Sequence, residues 1–383
     1  MDKMIAPKLV VLSLDPRGVI LDGKNDVLSR QNNYGLNLKK FNYQQKNEFM
    51  IFSASQDKSK INLYKSVTIL NLCNPTFNFL KFAWKSRKLA LELKLDIKLF
   101  IVGDSWESYW SAFFLNYLLH TKTPIQIQVH GDIGDPQWRK INYRNRFRYS
   151  LAKFSLNRAS SLRAVSNYQA ENLVKAFGIK REKIVVVPVP ITVANKSVAL
   201  KSQRPKTIGL IGRIHQDRGI WEFIRLIRIL NSCSKDFKVV VIGDGPSKGK
   251  FLLKLSSVIP KNRVTYLGQL PESELSKAWK KIGVLVSMAP VESYGRVMRE
   301  SLIAGVPVWA TASAGVKDLM DNCKKGEVKL LDLSKSDAAL DKDFKRLLKT
   351  KVSADFSKRF IKENNTYAAK LANSWINIIK KSK

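Results

Sequence analysis

A chain of 383 residues with a 45% hydrophobic share is long enough for two domains with cores of their own, and no apolar run in it approaches the length of a bilayer-spanning helix. Its three cysteines, Cys73, Cys233 and Cys323, are scattered and odd in number, which argues against a disulfide framework and a Cys-based metal site. The formal net charge of +36 is shared by both halves rather than gathered in a tail; it fits nucleic acid, an anionic membrane, an anionic substrate, or a Lys-rich composition without a role.

The first apolar run, 8–14, is shorter than a signal peptide needs and ends in Asp15-Pro16-Arg17. It is expected to form a buried strand in a chain that stays in the cytoplasm. Further strands are expected at 48–53, 67–70, 97–102, 124–129, 162–165 and 184–188. Ser166 and Gln169 have the spacing of a capping box that opens a helix. Residues 190–206 carry no clear period and form the expected linker. A second alternation follows, with strands at 207–211, 238–242, 263–266, 284–287 and 308–311 and helices at 220–230, 248–258 and 297–304. A last helical stretch runs from 364. Strands alternating with helices predict an α/β fold with mainly parallel sheets, divided into domains at 1–193 and 204–363 and a C-terminal helix at 364–383.

Two stretches of the first half mix aromatic and basic residues. Residues 139–163 hold eight Lys/Arg and no acid, with Tyr143, Phe147, Leu151 and Phe154 on one helical face. Residues 77–88 interleave Phe77, Phe79, Phe82 and Trp84 with Lys81, Lys85, Arg87 and Lys88. Such faces suit anionic lipid. They suit equally a core-facing helix whose long cations snorkel into solvent.

The chemistry-bearing motifs lie mainly in the second half. Glu292-Ser-Tyr-Gly-Arg-Val-Met-Arg-Glu300 sets two glutamates eight positions apart, with a glycine turn between them and a helix starting near Arg296. That pattern places backbone N–H groups of a helix N-terminus beside carboxylates, an arrangement suited to a polyol diphosphate. An exposed helix with scattered Glu would look the same by spacing alone. Gly212-Arg213 and Arg218-Gly219 follow the strand at 207–211, so two cations sit in a strand–loop–helix. Gly243-Asp244-Gly245-Pro246 is turn chemistry. In the first half, Val129-His130-Gly131-Asp132 follows the strand from 124, at the edge where open parallel sheets bind ligands; a lone His there is also commonly structural. Asp341-Lys342-Asp343, the one Asp-x-Asp pair, lies in a polar helical stretch and reads as solvated surface.

The segment 292–308 resembles the E-x7-E signature of retaining family 4 glycosyltransferases of the GT-B fold, keeping both glutamates and Gly295. The resemblance implies two Rossmann-like domains with parallel sheets facing across a cleft, and a C-terminal helix returning to the first domain. It implies that Glu292 faces the donor sugar and Glu300 holds the ribose, with the N–H groups of Arg296 and Val297 at the diphosphate. Gly212, Arg213 and Arg218 would lie on the same diphosphate; Arg218 stands where the family usually has Lys. Leu270 falls where the family's backbone meets the nucleobase, and His130 where a His often reaches the donor sugar. The family's glycine-rich acceptor loop corresponds to Asp15–Gly18, which has too few glycines for acceptor contacts to be carried over.

The expected activity is therefore retaining, metal-independent sugar transfer from a nucleotide-diphosphate sugar to a glycan or lipid-linked acceptor, in envelope polysaccharide or lipopolysaccharide synthesis. No cofactor and no nucleic acid partner are expected, and whether the basic surface meets an anionic membrane or reflects composition is left open. Two alternatives are a basic nucleic-acid-binding protein on an inactive scaffold of this fold and a sugar-nucleotide epimerase. The intact Glu292, Glu300, Arg213 and Arg218 argue against the first.

Overall fold

A computed structural model of the protein describes residues 9–20, 25–41, 48–55, 60–74, 76, 78–191 and 204–382. The chain divides into two compact units, one comprising Met1–Pro190 with Asn364–Lys383 and the other Ile191–Glu363. The linker expected at 190–206 lies largely outside the described residues, which omit 192–203.

In the first unit eight described strands form one sheet. They are β1 (Leu9–Asp15), β2 (Glu48–Ser55), β3 (Lys60–Tyr64), β4 (Val67–Cys73), β5 (Asp96–Val102), β6 (Ile125–Gln128), β7 (Ser161–Ala164) and β8 (Ile184–Val186), in the order β3-β4-β2-β1-β5-β6-β7-β8. All neighbours are parallel except β3 against β4. Successive residues of β1 serve opposite faces. Val10, Leu12 and Leu14 join a core with Phe82, Leu115 and Leu156 from three helices, while Leu9 and Val11 meet the first and last helices of the chain.

The last helix, Tyr367–Lys381, closes that second face. Trp375 is fully buried, its ring 5.1 Å from Phe49 and edge-on to Tyr34 at 6.1 Å. Its indole N–H donates to Gln126 Oε1 at 2.8 Å, so the one polar atom of a large apolar side chain is satisfied.

The second unit holds β9 (Thr207–Ile211), β10 (Lys238–Ile242), β11 (Val264–Tyr266), β12 (Val284–Ser287), β13 (Val308–Ala310) and β14 (Val328–Leu330), all parallel, in the order β11-β10-β9-β12-β13-β14. β3 and β14 were not expected. Both are edge strands, where short, charged sequences are favoured and the continuous apolar signal is missing. β3 also enters through a hairpin at Lys65-Ser66, which contains no turn glycine. Its Ser66 is tied to Asn32, donating its N–H to Oδ1 at 3.0 Å and its hydroxyl to the carbonyl at 2.6 Å.

Strand order reverses between β1 and β5 in the first sheet and between β9 and β12 in the second. Such a reversal splays the two following loops apart and opens a crevice at the carboxyl ends of the strands. No helix among the described residues is long and apolar enough to cross a membrane.

Candidate active site

The reversal point of the second sheet opens into a cavity of about 340 Å³, lined by Gly212, Arg213 and Arg218 from the loop after β9 and by Glu292, Gly295, Arg296 and Val297 from the loop after β12. Residues separated by some eighty positions in sequence are therefore neighbours. Two glycines make this approach possible. Gly219 ends the first loop at φ +68, and a Cβ there would lie 2.0 Å from the Met288 carbonyl oxygen. Gly295 has φ +73 and caps the helix Arg296–Ile303 without a side chain to offer the first-turn amides. That end of the helix faces the cavity with the positive end of its dipole.

The charges at the site are paired. Arg213 reaches Asp217 at 3.0 Å and Arg218 reaches Glu292 Oε2 at 3.2 Å. Both guanidiniums are about half exposed, so these pairs are solvent-screened and exchangeable. The other oxygen of Glu292 accepts from the N–H groups of Gly295 at 3.0 Å and Tyr294 at 3.3 Å. The carboxylate is thus oriented by its own loop and by a cation from across the crevice. Glu300, one helical turn beyond Arg296, lies 3.8 Å from it and does not line the cavity. Leu270 sits in the loop after β11, two strands from the reversal point, and is also outside the cavity lining.

The Glu292 loop is buttressed by residues that the sequence did not single out. Arg299 is nearly fully buried, pairs with Asp318 at 2.6 Å and lies 3.8 Å above the Tyr294 ring. The Gly315 N–H donates to the Glu292 carbonyl at 2.6 Å. Nothing local to Arg299 or Asp318 in the sequence marks them as partners.

In the first unit, His130 follows β6 on a loop clamped by Gln169, whose amide N–H groups donate to the carbonyls of Val129 at 3.0 Å and Gly131 at 2.9 Å. Ser166 caps the helix Asn167–Phe177 as the capping-box spacing requires, while the Gln169 oxygen accepts from Val165 at 2.7 Å. Desolvation, reinforced by Arg163 and Arg30, pushes the His130 pKa down to about 3. The residue keeps an exposed surface, and with its pKa lowered this imidazole is neutral at pH 7. Asp132, two residues on, is buried. Desolvation first, and Asp135 next among the raising influences, push its pKa up to about 7 against the bond from Asn172.

At the first reversal point the carboxylates are turned inward. Asp15 accepts from Val19, Ile20 and Ser53, and its burial still raises its pKa. Asp104 takes Arg17 at 2.8 Å together with Trp106 and Ser108. Among the described residues no three His, Cys, Asp or Glu side chains gather as a metal site. Asp341 and Asp343 are held by lysines, Asp341 by Lys345 at 2.6 Å and Asp343 by Lys329 at 2.9 Å and Lys335 at 3.1 Å.

Family comparison matches residues 41–195 to Glycosyltransferase Family 4 and residues 194–366 to Glycosyl transferases group 1. The chain is a GT-B protein of the glycosyltransferase family 4 type. A 2-deoxystreptamine glucosyltransferase of Streptomyces kanamyceticus is 26% identical to it over 211 residues, 52% of this chain and 54% of the relative. The chain spans about half the length of the curated relatives that it matches. In fold it is similar to a sucrose-phosphate synthase from Thermosynechococcus elongatus, with a TM-score of 0.67 at 16% identity over 98% of this chain and 97% of that one. It is also similar to Anabaena HepE solved with UDP and glucose, with a TM-score of 0.59 at 16% identity over 98% of each chain. At these identities the GT-B fold is what is shared.

Proposed function

We propose that this GT-B chain transfers a sugar from a nucleotide-diphosphate sugar to a glycan or lipid-linked acceptor, retaining the anomeric configuration and needing no metal. The observation that carries the reading is the second unit's cavity, where Arg213, Arg218, Glu292 and the N-terminus of the helix Arg296–Ile303 meet. The names of its relatives, a glucosyltransferase and a protein bound to UDP and glucose, support a donor of this class.

In this reading the first-turn amides of the helix Arg296–Ile303 and the two guanidiniums hold the diphosphate. As the anomeric C–O bond breaks, charge grows on the leaving phosphate, and donors already fixed in place stabilise it without reorganisation. The acceptor oxygen attacks the same face and its proton passes to the leaving diphosphate, so no strong general base is required. Glu292, oriented by the N–H groups of its own loop, accepts hydrogen bonds from the sugar hydroxyls. Glu300 holds the ribose, Leu270 meets the nucleobase, and His130, neutral at pH 7, is the catalytic candidate of the first unit. Envelope polysaccharide or lipopolysaccharide synthesis is the setting that the family resemblance and the basic charge favour.

The test is a panel of UDP-, GDP-, ADP- and dTDP-sugars with release of the nucleoside diphosphate as readout. At least one should turn over, and Glu292→Gln and Glu300→Gln should each lower that rate by roughly tenfold or more, about 1.4 kcal/mol of barrier, with unchanged melting. Full activity in both folded variants would overturn the reading.

A further inference from the structure

Three helices of the first unit, Phe79–Glu92, Glu107–Leu119 and Tyr143–Arg158, pack on the same face of its sheet through Phe82, Leu115 and Leu156. A run of rings joins them. Phe79 lies 6.0 Å from Phe114, Phe114 lies 6.2 Å from Trp110, and Trp110 stacks on Phe154 at 5.3 Å and 11°. The sequence left open whether the aromatic positions of residues 143–154 face the core or the solvent. Tyr143 and Phe147 are 86% and 66% exposed, so the first half of that face points outward, while Phe154 packs on Trp110. Trp84 at 59% and Tyr117 at 73% are exposed on the two neighbouring helices. Single exposed apolar side chains are ordinary, whereas large ones on three helices that cover one face of a sheet call for a partner.

The charge around these side chains says what kind. Lys81, Lys88, Arg144, Arg146 and Lys153 are exposed on these helices, and Arg158, also exposed, lies over the Phe154 ring at 4.2 Å. The acids of the three helices, Glu92 and Glu107, are each paired, with Lys88 at 3.9 Å and Arg148 at 3.3 Å. Arg148 also lies over the Trp106 ring at 4.8 Å, so it is a packing residue rather than part of the outward face. Tyr and Trp with an apolar body and a polar tip, beside Phe and ringed by long cations, match the depth profile of a bilayer surface, apolar below and anionic at the headgroups.

We infer that this three-helix face docks on an anionic lipid bilayer, with Trp84, Tyr143 and Phe147 entering the interface and the surrounding Lys and Arg meeting headgroup phosphates. The surface belongs wholly to the first unit, and its test is independent of the donor chemistry.

The experiment is flotation of the full chain with vesicles of phosphatidylcholine alone or mixed with phosphatidylglycerol. Binding is expected only to the mixed vesicles, falling as salt rises from about 0.05 to 0.5 M. Arg144→Gln with Arg146→Gln and Lys153→Gln should weaken it roughly 100-fold, at about 1 kcal/mol for each cation. Trp84→Ser with Phe147→Ser should weaken it at low salt too, by about tenfold or more. These side chains are exposed, so melting curves and nucleoside diphosphate binding should not change. Free glycerol phosphate should not compete at millimolar level. Equal binding to uncharged vesicles, or variants that bind as wild type, would overturn the inference. So would displacement by an RNA oligonucleotide whose own affinity ignores Trp84 and Phe147, since the face would then be a nucleic-acid surface.

Discussion

The two units build the same topological position in opposite ways. Where strand order reverses in the first sheet, Asp15 and Asp104 turn their oxygens onto their own loops, taking backbone N–H groups, serine hydroxyls and Arg17. Where it reverses in the second sheet, Glu292 shares its oxygens between its loop and Arg218, and the cations stand half exposed at a cavity. A carboxylate buried among its internal donors, as Asp15 and Asp104 are, is a structural tie, because any ligand must replace strong bonds within the protein. A carboxylate and a guanidinium joined by one screened contact can exchange it for a ligand at little cost. Topology marks both places as candidates; the partners of the charged groups separate them.

That contrast can be broken by substitution. The largest effect is expected where charge is buried. Asp318→Asn leaves the Arg299 guanidinium without its carboxylate and should cost about 3–5 kcal/mol, read as a lower unfolding midpoint in denaturant. Next come the exchangeable cations. Arg213→Ala and Arg218→Ala should each weaken nucleoside diphosphate binding roughly ten- to hundredfold by titration calorimetry, since a charge-assisted bond is worth about 1.5–3 kcal/mol, with Arg213 the larger. Arg17→Ala, at the first reversal point, should leave that affinity unchanged. Arg218→Lys, which restores the usual family residue, should be milder than Arg218→Ala. If it were as damaging, the Arg218 fork would be serving Glu292 and the diphosphate together.

How much of this was legible depends on whether a constraint is local. Strands 207–211, 238–242 and 284–287 can be read to the residue because a strand buried on both faces is one apolar run. Glu292, Gly295, Arg213 and Arg218 stand out through the resemblance to a family signature, since their spacing alone would fit an exposed helix as well. The contacts that organise them were not legible. Arg218 meets Glu292 across 74 positions, Gln169 reaches Val129 across 40, and Arg299 reaches Asp318 across 19, with no local pattern announcing any of them. The direction of the Tyr143–Arg158 face was undecidable for another reason: periodicity defines a face without saying what lies against it.

Smaller effects sharpen the account of the first unit. The folded His130 pKa is lowered below 6.5, so below that pH the unfolded chain binds more protons and stability rises with pH. The Asp132 pKa is raised from 3.8 to about 7, so over that window the folded chain binds more and stability falls with pH. The two slopes oppose each other from about pH 4 to 6.5. Asp132→Asn removes the falling one, and denaturant midpoints should then climb more steeply with pH than in wild type. An unchanged slope would show that Asp132 ionises freely. The smallest effect expected is none: EDTA should leave donor turnover as it was, and loss restored by manganese or magnesium would contradict metal independence.

The most direct test of the central claim is a crystal structure of the full chain with the nucleoside diphosphate that binds best. The diphosphate should lie about 3 Å from the Val297 amide and the Arg213 guanidinium, with the Arg213–Asp217 contact exchanged for phosphate. A nucleotide bound elsewhere, with Arg213 still on Asp217 and Arg218 still on Glu292, would contradict it.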